Sequence, residues 1–261
     1  KSLCFDDVLL EPQVSDIHSR RDIDISSPLG KYTFKLPIIS SPMDTVTGPE
    51  MAIAIHQAGG LGILHRYNSV AEQVELAQSI RTRGGKDVIF GAAVGITGDY
   101  FERATNLAWA GCKIICIDVA HGHHSLMEKA IPSIKAELGR EAHIIAGNVA
   151  TLDAFNDLAD WGADSIRVGV GGGSICSTRV QTGHGIPTLE SILRCAGSDR
   201  DAALIADGGI KNSGDIVKAL AAGADFVMCG SLLSGTDETP GPLIRLGDGT
   251  PPRKVYRGMA S

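Results

Sequence analysis

The sequence predicts an α/β fold, a TIM (β/α)8 barrel that forms a single domain. Eight short apolar runs alternate with helix-forming segments, and consecutive runs begin roughly 22–38 residues apart. One strand and its crossover helix in a parallel sheet need about that length. Polar residues or glycines follow each run, as at the working face of a barrel. A doubly wound sheet is the alternative, but it usually has fewer strands.

The apolar runs are the predicted strands. Most are apolar on both alternating faces, which is typical of strands that are covered on both sides. They lie at residues 36–43, 60–66, 88–95, 114–119, 143–149, 165–170, 203–209 and 226–233.

The segments between the runs predict helices. Residues 71–81 carry glutamates early, which suits the helix dipole. Thr151 is the predicted N-cap of a helix after the fifth strand. The run that begins at Asn212 predicts the start of another helix over 216–222, with Gly223 as its C-cap.

Composition excludes several classes of protein. Of 261 residues, 43% are hydrophobic and 21% are charged, which is typical of a folded globular chain. The net charge of −6 gives no basic surface for nucleic acid. No apolar run reaches the roughly 18 residues that a membrane span needs. The six cysteines form no CxxC pair, so we expect free thiols and a reducing, cytoplasmic compartment.

The predicted strand ends collect polar residues and glycines. Chemistry in a barrel gathers at the carboxyl ends of the strands, so these residues are the candidates for a site. The ends read Ser41-Pro-Met-Asp44, His65-Arg66, Gly95, Asp118-Val-Ala-His121, Gly147-Asn148, Gly169 to Cys176, Asp207-Gly-Gly209 and Gly230-Ser231.

A glycine-rich loop with one cysteine follows the sixth predicted strand. Backbone N–H groups in such a loop can approach a ligand closely. Cys176 has Arg167 and Arg179 near it in sequence, and a neighbouring cation lowers the pKa of a thiol. We therefore predict Cys176 as a nucleophile, against the simpler interpretation of an incidental cysteine in a flexible loop.

Other strand ends predict ligand contacts. The glycines after the seventh and eighth strands suit a phosphate site built from backbone N–H groups, although each Gly pair alone would be a plain turn. Asp118 is a candidate for binding ligand hydroxyls, and Asn148 is another. The three histidines of the run His121-Gly-His-His124 form a weak metal signal, and a solvated loop or a substrate rim is the better interpretation. No GxGxxG opens a helix after the first strand, so any nicotinamide would bind at the barrel mouth.

These motifs, taken in order, resemble the IMP dehydrogenase / GMP reductase family along nearly the whole chain. The cysteine loop followed by the Ala-Asp-Gly-Gly and Tyr-Arg-Gly-Met segments is the most specific part of the resemblance. The matching pieces are residues 40–47, 91–95, 146–151, 171–179, 205–210, 230–233 and 256–259.

The resemblance implies a TIM barrel, usually a homotetramer, that acts on a purine nucleotide. In the dehydrogenase, Cys176 would attack carbon 2 of IMP, hydride would pass to NAD, and a thioimidate would be hydrolysed to XMP for guanine nucleotide biosynthesis. In the reductase, the same cysteine would displace ammonia from GMP, and NADPH would deliver hydride to give IMP. A potassium ion would sit in the cysteine loop.

The resemblance also implies a role for each matching residue. Thr178 would lie beside the covalent adduct on the catalytic Cys176. Cofactor contacts would be Asp118, Asn148, Arg167 and Gly169, and potassium would take the carbonyls of Gly171, Gly173 and Cys176. The substrate contacts would be Ser41, Met43, Ser174, Asp207, Gly209, Gly230, Ser231, Tyr256, Gly258 and Met259.

The sequence departs from the family pattern in several places. Gly172 stands where many members have Pro or Ser, which would loosen the cation loop, and Ser177 replaces the usual Thr or Ile. The paired CBS regulatory domains of many dehydrogenases would fall between Arg83 and Val88, so we expect that pair to be absent or removed and residues 1–261 to form one catalytic domain. The family's mobile flap, with the residues that activate water, would follow Ser261.

We favour the dehydrogenase over the reductase because Ser41 to Thr47, His121-Gly-His, Gly230-Ser231 and Tyr256 to Met259 resemble it better. GMP reductase is the alternative, since it too lacks the regulatory insert. A flavin-dependent barrel oxidoreductase is a remoter possibility. A non-catalytic nucleotide-binding barrel would belong to a different class, and the intact Cys176-Ser-Thr178 argues against it.

Overall fold

The computed structural model describes residues 2–245 and 250–259. Within them, ten strands run in chain order: β1 Ser27–Leu29, β2 Tyr32–Phe34, β3 Ile38–Ser40, β4 Leu61–Leu64, β5 Phe90–Val94, β6 Ile114–Asp118, β7 His143–Val149, β8 Ser165–Val168, β9 Ala203–Asp207 and β10 Phe226–Cys229. The helices among these residues are α1 Pro49–Gln57, α2 Val70–Gly84, α3 Tyr100–Trp109, α4 Ser125–Leu138, α5 Leu152–Asp160, α6 Thr178–Thr182, α7 Thr188–Cys195 and α8 Ser213–Ala221.

Strands β3 to β10 close into a parallel eight-stranded barrel. Each strand pairs with its neighbour in sequence, and β10 pairs with β3 to close the ring. The eight predicted runs are therefore the eight barrel strands, and the predicted TIM barrel is confirmed over a doubly wound sheet. The strands are shorter than most of the runs because the polar residues at their carboxyl ends turn into loops.

The predicted helices also form. The segment expected at 71–81 is α2, whose N-cap Ser69 and Glu72 satisfy each other's backbone N–H groups in a capping box. Thr151 caps α5 as predicted, accepting from Ala154 N. Asn212 caps α8, and Gly223, at a φ of +108°, follows its last turn.

The barrel interior is filled by alternate, inward-facing side chains. They form a buried cluster separate from the larger one between strands and helices. The antiparallel hairpin β1–β2, which the sequence analysis did not predict, adds Leu29 and Phe34 to the interior cluster. Phe34 meets Phe226 edge to face, with ring centroids 5.9 Å apart. The hairpin thus closes the barrel at the end where the strands begin.

Residues 85–89 join α2 directly to β5, where the family pattern would place an insert. Gly85 turns the chain there at a φ of +90°. Among the helices of the described residues, none has the length and hydropathy to cross a membrane.

Candidate active site

The cysteine loop leaves the barrel at the end of β8 and lies against the end of β9. A Cβ built on Gly169 would lie 1.8 Å from the carbonyl oxygen of Asp207, so only glycine fits this crossing. The loop turns back on itself where Cys176 N donates to Gly173 O at 3.1 Å. Cys176 Sγ lies 3.3 Å from Thr178 Oγ1, at the start of α6. The thiol is half-buried and opens to the barrel mouth.

Arg167 is the buried centre of a charged cluster at the mouth. It lies on the inward face of β8, and its side chain is 7% exposed. Its Nη1 donates to Asp118 Oδ1 at 2.6 Å and its Nη2 donates to Asp207 Oδ2 at 2.8 Å. Burial opposes its charge, but the two carboxylates hold the pKa of Arg167 well above its ordinary value. The guanidinium therefore fixes the side chains at the ends of β6 and β9.

The expectation that Arg167 acts as a cation beside the thiol of Cys176 needs correction. Both Nη groups of Arg167 are engaged by carboxylates, and the thiol that it contacts is Cys116, 3.6 Å from Nη1. Arg179 packs its aliphatic chain against Gly171 and Gly185. Proximity in sequence misleads here because Arg167 points into the barrel while the loop leaves it.

The hydrogen bond between Asn148 and Asp207 determines which of their side-chain oxygens remain available to a ligand. Asn148 Nδ2 donates to Asp207 Oδ2 at 2.7 Å and to Gly169 O at 2.8 Å. Both amide hydrogens are thus used within the protein, which leaves Asn148 Oδ1 as an acceptor. Asp207 Oδ2 accepts from Asn148 and Arg167, and Asp207 Oδ1 has no partner among the described residues. Both free oxygens suit ligand hydroxyls.

A second group of predicted residues surrounds Gly230, at the end of β10. A Cβ there would lie 3.1 Å from Tyr256 Oη, 3.3 Å from Met43 Sδ and 3.4 Å from Ser41 Oγ. Burial raises the pKa of the Tyr256 hydroxyl, while its contacts with Ser174 and Ser231 oppose that rise. The ends of β3 and β10 and the segment 256–259 thus meet at one point.

The segment 256–259 is tied to the end of β3. Arg257 forms an ion pair with Asp44, and Asp44 N donates to Met259 Sδ at 3.4 Å. These contacts hold Tyr256 over the cleft.

All the predicted site residues line a single cleft at the barrel mouth. The catalytic pair, the substrate group, the cofactor group and the cation loop are brought together there. The cleft also contains residues that were not assigned a role, among them Arg66 and Tyr67 at the end of β4. His65-Arg66 was recognised as a strand end, and a cation at a strand end was the signal that could have singled out Arg66.

The three histidines of the β6–α4 loop do not line this cleft. His123 Nε2 lies 2.7 Å from Asp157 Oδ2, and His124 Nδ1 accepts from Leu126 N as the N-cap of α4. Among the described residues, no three His, Cys, Asp or Glu side chains gather as a metal site. The three histidines are exposed, so the structure places them on a surface loop outside the cleft.

The chain is similar to known proteins along its whole length. Residues 2–261 match the family described as the IMP dehydrogenase / GMP reductase domain. The chain belongs to this family. A solved structure of inosine 5′-monophosphate dehydrogenase from Legionella pneumophila superposes with a TM-score of 0.90 at 44% sequence identity, covering 100% of this chain and 78% of that one.

Curated relatives carry both family activities in their names. Inosine-5′-monophosphate dehydrogenase from Cryptosporidium parvum is 36% identical over 100% of this chain and 74% of its own. The enzyme of that name from Nitrosopumilus maritimus is 31% identical, covering 100% and 80%. GMP reductase from Leishmania major is also 31% identical, again covering 100% and 80%. Membership of this family makes the chain an oxidoreductase.

Proposed function

We propose that this member of the IMP dehydrogenase / GMP reductase family oxidises IMP to XMP with NAD. One observation carries the proposal: Cys176 and Thr178 share a cleft with a ribose-type acceptor, Asp207, and with the glycine cluster around Gly230. A nucleophile, a diol acceptor and a phosphate cradle are the three elements that a 5′-nucleotide requires for covalent catalysis.

The proposed substrate lies between two anchors. Its 5′-phosphate takes backbone N–H groups and hydroxyls from Ser174, Gly209, Gly230, Ser231 and Tyr256, none of which is a basic residue. Its ribose hydroxyls donate to Asp207 Oδ1. Ser41, Met43, Gly258 and Met259 complete the walls around the purine.

The proposed reaction has two halves. The Cys176 thiolate forms a bond to carbon 2 of IMP, and the hydride that leaves this carbon is accepted by NAD. The resulting thioimidate on Cys176 is then attacked by water, which releases XMP and the free thiol. Thr178, 3.3 Å from the sulfur, lies where it can hydrogen-bond the reacting centre.

The cofactor and the cation are proposed from the atoms that face the cleft. Asp118 and Asn148 Oδ1 offer acceptors for the hydroxyls of NAD, Gly169 offers close backbone approach, and Arg167 holds Asp118 in place. Carbonyl oxygens suit a hard cation, and the proposed potassium ligands are the carbonyls of Gly171, Gly173 and Cys176, which belong to the loop that the bond from Cys176 N to Gly173 O turns back. A homotetramer in the cytoplasm, with one barrel domain per chain, completes the proposal.

The test traps the covalent intermediate. After incubation with IMP and NAD and rapid denaturation, mass spectrometry should find a purine adduct on Cys176, with one NADH formed per adduct. Cys176→Ala should bind IMP and give neither product. An adduct on Cys229 or another cysteine would overturn the site assignment.

GMP reductase is the second candidate, favoured by the relatives of that name. Incubation with GMP and NADPH separates the two activities. The dehydrogenase proposal expects little NADPH consumption, whereas turnover of GMP together with no reaction of IMP and NAD would assign the reductase.

A further inference from the structure

We propose that Arg66 binds the diphosphate of a dinucleotide cofactor over the ends of β5 and β6. This inference rests on the proposed function, because it assigns a subsite to the same cleft. It concerns a residue that neither the family motifs nor the predicted roles included.

The side chain of Arg66 is held at the edge of the cleft. The residue follows β4, and its side chain crosses the ends of β5 and β6. Nε donates to the carbonyl oxygen of Asp118 at 3.1 Å, and Nη1 occupies the space beside Gly95, 3.6 Å from where a Cβ on that glycine would lie. The guanidinium also lies over the Tyr67 ring, with 5.0 Å from Cζ to the ring centroid. The hydrogen bond and the ring contact thus hold the group at the edge of the cleft.

The Nη groups of Arg66 make no hydrogen bond to a described residue. Its one hydrogen bond to a described residue uses Nε, and the closest carboxylate oxygen, Asp118 Oδ2, is 3.9 Å from the same atom. Both Nη groups therefore keep their N–H donors for a ligand. The side chain is 30% exposed, so the donors are accessible while its stem is held. A planar fork of this kind matches two phosphate oxygens.

The two arginines of the cleft differ in how far their charge is neutralised. Arg66 and Arg167 are the basic residues among those that line it. Arg167 is neutralised by Asp118 and Asp207 and has no Nη group free for an anion. The glycine cluster around Gly230 lies at β10, and β5 and β6 lie on the other side of the ring. A second anionic ligand in the cleft would meet Arg66.

A cofactor diphosphate fits this position. A dinucleotide whose ring reaches the substrate beside Cys176, with ribose hydroxyls on Asp118, extends outward over the ends of β5 and β6. Its diphosphate is the part that carries charge, and Arg66 offers the charge that Arg167 does not. The 2′-phosphate of a phosphorylated dinucleotide has the same chemistry, so the test must separate the two.

Calorimetry on the whole chain tests the assignment without turnover. ADP-ribose carries the diphosphate, adenosine lacks it, and 2′-phospho-ADP-ribose adds the other phosphate. Arg66→Gln should weaken ADP-ribose by about tenfold or more, because charge-assisted bonds to phosphate are lost. It should leave adenosine and IMP within about twofold of the parent value. Arg66→Lys, which keeps the charge and loses the fork, should fall between.

Arg83→Gln is the matched control. Arg83 pairs with Glu50 on the outer surface, so its loss should change none of the four affinities. Unchanged ADP-ribose affinity in Arg66→Gln would overturn the inference. So would a loss confined to 2′-phospho-ADP-ribose, which would place the other phosphate there. Failure of the parent to form the Cys176 adduct would instead contradict the proposed function, whatever Arg66→Gln shows.

Discussion

The hydroxyl of Thr188 occupies the space that a side chain at position 172 would need. A Cβ built on Gly172 would lie 2.1 Å from Thr188 Oγ1. Thr188 is the first residue of α7 and is 5% exposed, and its hydroxyl has no hydrogen-bond partner among the described residues. A glycine at position 172 was expected to loosen the cysteine loop. The structure instead fills the missing volume from α7.

This contact predicts that a substitution at Thr188 can restore the stability lost by a substitution at Gly172. Gly172→Ala should destabilise the protein by about 1–3 kcal/mol, the usual cost of overpacking. Adding Thr188→Ala should recover most of that loss in urea unfolding, because the obstructing hydroxyl is gone. Thr188→Val should give no recovery, since a methyl group takes the place of the hydroxyl. Equal behaviour of the two double variants would contradict the contact.

The phosphate cradle predicts that glycine matters more than serine. Ser231→Ala should weaken IMP by only about tenfold, near 1.4 kcal/mol, because the backbone N–H groups remain. Gly230→Val should abolish measurable binding, because Tyr256, Met43 and Ser41 already crowd a Cβ at that position. Calorimetric titration with IMP measures both. Wild-type affinity in Gly230→Val would show that the phosphate binds elsewhere.

Buried His143 predicts a pH-dependent stability. Its Nε2 lies 2.6 Å from Ser165 Oγ, and burial lowers its pKa to about 4 from an ordinary 6.5. Asp164 opposes this shift and Lys135 adds to it. The unfolded chain therefore takes up a proton that the folded chain refuses. The stabilising effect is complete above pH 6.5 and is lost as the pH falls towards 4.

Urea unfolding between pH 7 and pH 5 measures the effect of His143. The parent should lose up to about 1.4 kcal/mol per pH unit from this group. His143→Gln should be less stable at pH 7 and should show a flatter pH dependence. His18→Gln, at an exposed position, should follow the parent. A slope in His143→Gln equal to that of the parent would contradict the assignment.

The cysteines predict a sharp pattern of alkylation. Burial raises the pKa of four thiols to about 12, those of Cys112, Cys116, Cys195 and Cys229. At pH 8 iodoacetamide should therefore modify the exposed Cys4 and the half-buried Cys176, and leave these four intact in the folded protein. In Cys4→Ala the remaining modification should map to Cys176, and IMP should slow it. Rapid labelling of Cys229 would contradict the buried assignment.

Local pattern was sufficient to predict the barrel strands and the strand-end residues that meet at the barrel mouth. Each of the eight strands has its own apolar run, and each run ends in polar or glycine residues that a parallel barrel gathers at one face. Residues at those ends, such as Asp118, Asn148 and Asp207, could be predicted to share a site without knowing any contact between them. The caps Thr151 and Asn212 were predictable because a cap bonds only to residues within its own first turn.

The hairpin β1–β2 could not be predicted in this way. Each of its strands has three residues, too few for an alternating pattern to stand out. Its stability comes from Leu29 and Phe34, which pack into the barrel among residues from distant strands. That burial is a property of the closed barrel, not of the segment.

The sequence by itself determined which chemical groups reach the barrel mouth, because strand period and chain order decide that. Only the tertiary structure decided how those groups pair. Arg167 lies nine residues before Cys176, yet it binds Asp118 and Asp207, since β6, β8 and β9 turn their inward faces to the same interior. Arg66, by contrast, spends only Nε on a hydrogen bond to a described residue, the carbonyl oxygen of Asp118. The energy of an ion pair depends on the distance in space between the two charges, not on their separation in sequence. Only the closed barrel sets the distances between Arg167 and its two carboxylates.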